Sequence, residues 1–180
     1  MEETVHYTAE QFRDFYKVLD EVAPVSFDCG MFCGASCCDY ESPGDSGLGI
    51  YLLPGEEGIN PTLHQDDTYD LEGEIFTFVK CDGTKTCIRE LRPIQCRTYP
   101  LVPHLKADGE LILIYNDSEL PYGCPLVDQR ARLNIEFVEE TTRVWGELIK
   151  DPGIRKYVET YSVLRDDDTL VVPEIIDNRG

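Results

Sequence analysis

Eight cysteines fall between positions 29 and 124 of a 180-residue chain, and their spacing is its most chemically suggestive feature. Cys29, Cys33 and Cys37 follow at four-residue steps with Cys38 directly behind, in the glycine-containing stretch Cys29-Gly-Met-Phe-Cys33-Gly-Ala-Ser-Cys37-Cys38. Sulfur is a soft donor, so such a loop suits zinc, copper(I) or iron–sulfur chemistry and suits magnesium or calcium poorly. Neighbouring residues seldom aim both side chains at one tetrahedral ion. Either Cys37 or Cys38 is a bystander, or the pair serves different metals of a polynuclear or double site. Cys81-x5-Cys87-x8-Cys96 adds three donors from a turn and a second loop. Cys124 precedes Pro125 at the expected start of a long helix, where unpaired N–H groups favour a thiolate. Eight sulfurs are enough for two four-ligand sites. The plainer alternatives are buried thiols acting as small apolar side chains, or one disulfide pair; for eight cysteines grouped in this way, metal binding is the stronger expectation.

The run Cys29…Cys33…Cys37-Cys38, followed by Cys81, Cys87 and Arg92-Pro93-Ile-Gln-Cys96-Arg97-Thr-Tyr99-Pro100, resembles the CxxCxxCC cysteine-cluster proteins, described as a zinc- or iron-chelating domain. The Arg-Pro-x-x-Cys-Arg-x-Tyr-Pro element is its most specific part, and Cys124 looks like the family's last cysteine. The resemblance covers roughly residues 29 to 124 and departs in having three residues, not two, between the first cysteines. It implies metal binding far more than any reaction, although a similar cluster occurs in flagellin lysine N-methylases. Within the element, Pro93 and Pro100 fix their own backbone angles and stiffen both approaches to Cys96. Arg97 is expected to offset the charge of a four-thiolate site and to donate to its sulfurs, with Arg92 doing the same from the other side. Tyr99 reads as core rather than catalytic. His104 reads as a solvated hairpin histidine, and His6 and His64 have no supporting context.

These residues need elements to position them. Thr8-Ala-Glu-Gln11 has capping-box spacing, and Phe12, Phe15, Tyr16, Leu19 and Val22 recur at helical intervals, so a helix is expected from about 9 to 22. Gly49 to Leu53 and Ile75 to Lys80 read as strands, the second running into Cys81, with Asp82-Gly83 turning Cys87 back toward it. Leu101 to Lys106 and Glu110 to Tyr115 read as a hairpin around Ala107-Asp108-Gly109. Val127, Ala131, Ile135, Val138, Thr142, Trp145 and Leu148 trace one face of a long helix ending near Lys150. Asp151-Pro152 caps another, with Ile154, Val158, Tyr161 and Leu164 inward. The expected architecture is α+β, a single domain over 1–164 with terminal helices around a cysteine-rich core of short strands and loops, then an acidic tail over 165–180 in which Leu170 to Ile176 either docks as a short strand or stays loose.

Composition limits the partners. The 16 Lys and Arg stand against 35 Asp and Glu, a formal net charge of −19, which repels phosphate backbones and anionic lipid. Neither nucleic acid nor membrane is an expected partner. The acidic start and the lack of an apolar leader or spanning segment give a cytoplasmic expectation, in which clustered cysteines are metal ligands or redox groups rather than disulfides. No Gly-x-Gly-x-x-Gly opens a helix after a strand, and Walker-type, Gly-x-Ser-x-Gly and His-Glu-x-x-His motifs are missing. Asp66-Asp67 and Asp166 to Asp168 read as solvated acidic runs. The leading expectation is a metalloprotein with an iron–sulfur or polynuclear iron centre in electron transfer, redox sensing or a redox reaction. The alternative is a structural zinc protein whose acidic surface binds a basic protein partner. A metal-dependent enzyme with an open coordination position is the third reading and requires a pocket.

Overall fold

Thr8 caps the first helix in the way its sequence announces: its hydroxyl accepts from Gln11 N at 3.4 Å while Gln11 Oε1 accepts from Thr8 N at 2.9 Å. This helix, α1 (Ala9–Asp20), buries Phe12, Tyr16 and Leu19 on one face. The computed structural model describes residues 5–39, 49–59, 65–71, 73–81, 83–85, 87–118, 120–177 and 179. His64, Asp82 and the side chains of Asp66 and Asp67 therefore lie outside the described residues.

After α1 the cysteine stretch forms two single turns, α2 (Gly30–Cys33) and α3 (Ser36–Asp39), where the sequence suggested only a loop. Asp28 Oδ1 accepts from Gly30 N at 3.0 Å to start the first turn, and Gly34 ends it in the left-handed region at φ 63°. β1 (Gly49–Tyr51), β2 (Gln65–Leu71) and β3 (Glu74–Lys80) make an antiparallel sheet of order β1-β3-β2. Gly49 pairs with Lys80, and a Cβ at Gly49 would sit 2.3 Å from Val79 O and 2.4 Å from the Phe78 ring, so only glycine lets β1 close there.

A 3-10 turn, Arg89–Leu91, leads through Pro93 into α4 (Ile94–Thr98), which carries Cys96. β4 (Leu101–Leu105) and β5 (Leu111–Tyr115) form the expected hairpin, with Leu101 opposite Tyr115. The long helix differs from its sequence expectation. α5 (Pro125–Asp128) ends after one turn, Arg130 takes φ 46°, and β6 (Leu133–Asn134) intervenes before α6 (Ile135–Leu148). Val127 and Ala131 kept the apolar period because they pack on the same core from outside the helix. α7 (Pro152–Ser162) is capped by Asp151, which accepts from Gly153 N at 2.8 Å, and Leu164 lies beyond its end, 77% exposed rather than inward. The last segment docks: Tyr115 N donates to Val171 O at 3.0 Å, and β7 (Ile175–Ile176) pairs in parallel with β6.

The molecule is an α+β fold. Its core lies between α1, α4, the β4–β5 hairpin, α6 and α7, and includes Phe12, Ile94, Leu101, Leu133, Phe137, Trp145 and Ile154. Each such side chain contributes about 1.5–3 kcal/mol of hydrophobic burial. The described cysteines sit at one edge of this core, with Cys29 and Cys124 packed against it. Among the described residues no helix is long and apolar enough to cross a membrane.

Candidate functional site

α4 sets the position of the central cysteine. Ile94 and Thr98, four apart, face the core, so Cys96, two residues past Ile94 and about 200° round the helix, faces away from it. Three contacts lock that orientation. Trp145 Nε1 donates to Thr98 Oγ1 at 3.4 Å, Gln95 Nε2 donates to Tyr51 O at 2.8 Å, and Ile94 N donates to Glu56 Oε1 at 2.8 Å. Glu56 is 2% exposed and also accepts from Leu53 N at 2.8 Å and from the Tyr16 hydroxyl at 2.5 Å. Burial, which outweighs these three donors, pushes its carboxyl up to about 7.

Cys96 faces a cavity of about 720 Å³ also lined by Cys29, Cys37, Cys38, Cys81 and Cys87. These six sulfurs come from the α2–α3 stretch, the residue after β3, the turn beyond it and α4. Cys87 is drawn back by its N–H, which donates to Gly83 O at 3.3 Å, in the sense the turn signal predicted. Cys33 and Cys124 are not in the lining. Cys33 Sγ points to Cys29 O at 3.8 Å, and Cys124 lies beside Tyr99 and Cys29. Because α5 is a single turn, Cys124 has a four-residue helix behind it instead of the long dipole expected from the sequence.

The thiols act on one another across the whole set. Burial first, then Cys124 and Cys33, push the Cys29 thiol up. Contact with Cys38, then burial, then Cys33 and Cys96, do so for Cys37. Burial, then Cys81, Cys38 and Cys87, do so for Cys96. No disulfide joins the eight cysteines, and they do not close on a point: among the described residues no three His, Cys, Asp or Glu side chains form a group that could hold an ion as they stand. The donor chemistry nevertheless fits a soft metal, which must displace thiol protons to bind. Cys37 Sγ and Cys38 Sγ are 3.9 Å apart, close to the edge of about 3.8 Å in a tetrahedron with ~2.3 Å metal–sulfur bonds. The adjacent pair, expected to diverge, is thus spaced as two ligands of one ion would be.

Of the two arginines expected to donate to sulfur, only Arg92 does so. Arg97 donates to no sulfur. Its guanidinium reaches Arg92 O at 2.6 Å, Tyr16 O at 3.3 Å, Arg89 O at 3.0 Å, Glu90 O at 2.8 Å and the Asp20 carboxylate, and it lies 4.1 Å above the Tyr16 ring. It therefore clamps the Arg89–Arg92 turn onto α1. Arg92 is the sulfur partner, its Nε donating to Cys87 Sγ at 3.2 Å. Tyr99 also departs from a plain core role, because it lies in the cavity lining with its hydroxyl beside Cys124 and Tyr122. His104 is fully buried rather than solvated, and its Nε2 meets Asp167 Oδ1 at 2.7 Å. His6 pairs with Asp151 at 3.2 Å. Neither histidine lines the cavity.

Sequence reasoning missed Glu56, Arg89, Lys80 and Tyr122 as neighbours of the cysteines. Tyr122 is two residues from Cys124, Arg89 two from Cys87, and Lys80 adjoins Cys81, so proximity was a usable signal for these three; for Glu56 there was none. No family model matches the chain, and no curated protein or solved structure matches it.

Proposed function

We propose that the chain is a metalloprotein whose clustered cysteines hold an iron–sulfur or other polynuclear iron centre with a redox or electron-transfer role. The observation that carries this reading is the convergence of six cysteines, from stretches up to 67 residues apart in sequence, on one cavity. The charge around them supports it. The lining contributes Lys80, Arg89, Arg92 and Arg97 against Asp20 and Asp28, in a chain of net charge −19. Cations gathered there offset thiolates that would otherwise repel one another. A surplus of sulfurs beyond four favours a polynuclear centre over one ion. When bound, iron in such a site supplies one-electron chemistry. The chain's own part is to hold Cys96 rigid on α4, to donate from Arg92 to Cys87, and to shield the site with the apolar walls of the cavity.

A structural zinc site is the second reading, favoured by the Cys37–Cys38 separation, which suits a single tetrahedral ion. In it the acidic surface binds a basic protein partner. Dithionite titration of anaerobically purified protein separates the two: reversible bleaching of a visible absorption band is expected for iron, and a colourless protein would contradict it. Cys96→Ser is expected to lower bound metal by half or more, measured as metal per chain. Full retention would remove Cys96 from the ligands.

A further inference from the structure

The cavity is too large for a closed metal site alone. About 720 Å³ lies within the 300–1,000 Å³ typical of small-molecule sites, whereas a structural ion is enclosed by its ligands. Its walls have two characters. The lining combines the six sulfurs with apolar side chains, including Leu19, Val22, Phe27 and Ile88. Arg89 completes the lining, and its guanidinium makes no hydrogen bond or ion pair among the described residues, although acidic residues outnumber basic ones about two to one in the chain. Arg97 is already paired with Asp20, and Asp28 is engaged by Gly30 N.

The geometry points to a binding site for a small amphipathic organic anion, its carboxylate or phosphate head held by Arg89 with Arg92 behind it and its apolar body against Leu19, Val22, Phe27 and Ile88. A guanidinium presents a planar fork of donors that matches either head, and the apolar wall accepts a short hydrocarbon body. The inference rests on the metal reading for its place beside the sulfurs, where Lys80, Arg89, Arg92 and Arg97 offset the charge of metal-bound thiolates that would oppose an anion. It makes the centre an open one with room for a ligand, the pocket that a metal-dependent enzyme requires.

Calorimetric titration of the metal-loaded protein with hexanoate, hexyl phosphate, acetate and hexylammonium tests it, with metal content measured on the same sample. One anion per chain is expected. Hexanoate or hexyl phosphate should bind at least about tenfold tighter than hexylammonium and tighter than acetate, and the better of the two identifies the head group. Arg89→Gln, at an exposed side chain without a partner, should weaken the anion about tenfold with the circular dichroism spectrum unchanged. Retained metal with no preference for anions, or with no effect of Arg89→Gln, overturns this inference and leaves the metal reading intact. Failure to retain any metal after anaerobic reconstitution overturns the metal reading instead, and the same titration on the metal-free chain then decides the anion site by the same two criteria.

Discussion

Two charged side chains, Arg97 and Glu56, fix the short helix that carries Cys96, and both act through hydrogen bonds to backbone. Arg97 is 4% exposed and serves four carbonyls as well as Asp20, a geometry that a lysine ammonium does not reproduce. Arg97→Lys is expected to cost about 2 kcal/mol in urea unfolding, because the part-buried carbonyls of Tyr16 and Arg92 and the Asp20 carboxylate lose their partner. Glu56 makes stability depend on pH. Below about 4.5 both folded and unfolded chains carry its proton, whereas from there to about pH 7 only the folded chain does. Raising the pH across that window therefore removes stability, by about 3 kcal/mol when complete. Unfolding free energies at pH 5 and pH 8 should fall by less in Glu56→Gln than in the wild type; equal falls would show that Glu56 does not titrate there. Neither role was legible in sequence. Arg97 adjoins Cys96, so adjacency suggested a sulfur partner, but the helical turn directs it to α1 while Arg92, five residues from Cys87, reaches the sulfur.

Periodicity was legible wherever one element packs by itself. α1, the β4–β5 hairpin and α7 fall within a few residues of their expected ends, since capping and turn chemistry are local. It misled at 125–134, where a helical period ran through a break because Val127 and Ala131 pack on the core shared with α6. For the tail it left Leu170 to Ile176 open between docking as a short strand and staying loose, and β7 docks. His104 Nε2 and Ala107 N both meet the carboxylate of Asp167, tying the segment after α7 to the hairpin before its backbone pairs with β5 and β6. These contacts span about 60 residues and leave no local pattern. His104→Gln is expected to loosen the tail, seen as faster hydrogen exchange of Tyr115 N–H and Leu133 N–H, which donate to Val171 and Glu174. Unchanged protection at both amides would show that strand pairing alone holds it.

At the scale of the whole molecule, an apolar core and a cysteine cavity stand side by side. Trp145, Phe12, Phe137, Ile94 and Ile154 are buried in that core, and Cys29 and Cys124 pack against it. The core thus supplies a rigid frame, and the sulfurs need not fold the chain as zinc-finger ligands do. The eight cysteines and the α+β class were legible in sequence because residue type and period carry them. The cavity and its apolar wall were not, because α1, β1, β3 and α4 meet there only in the folded chain. Its cations would offset the thiolates that a bound metal creates in so acidic a protein. Assay of iron, acid-labile sulfide and zinc in anaerobically purified protein tests the central claim most directly. Iron in excess of one atom per chain with matching sulfide is predicted, and stoichiometric zinc without iron, or no metal at all, would contradict it.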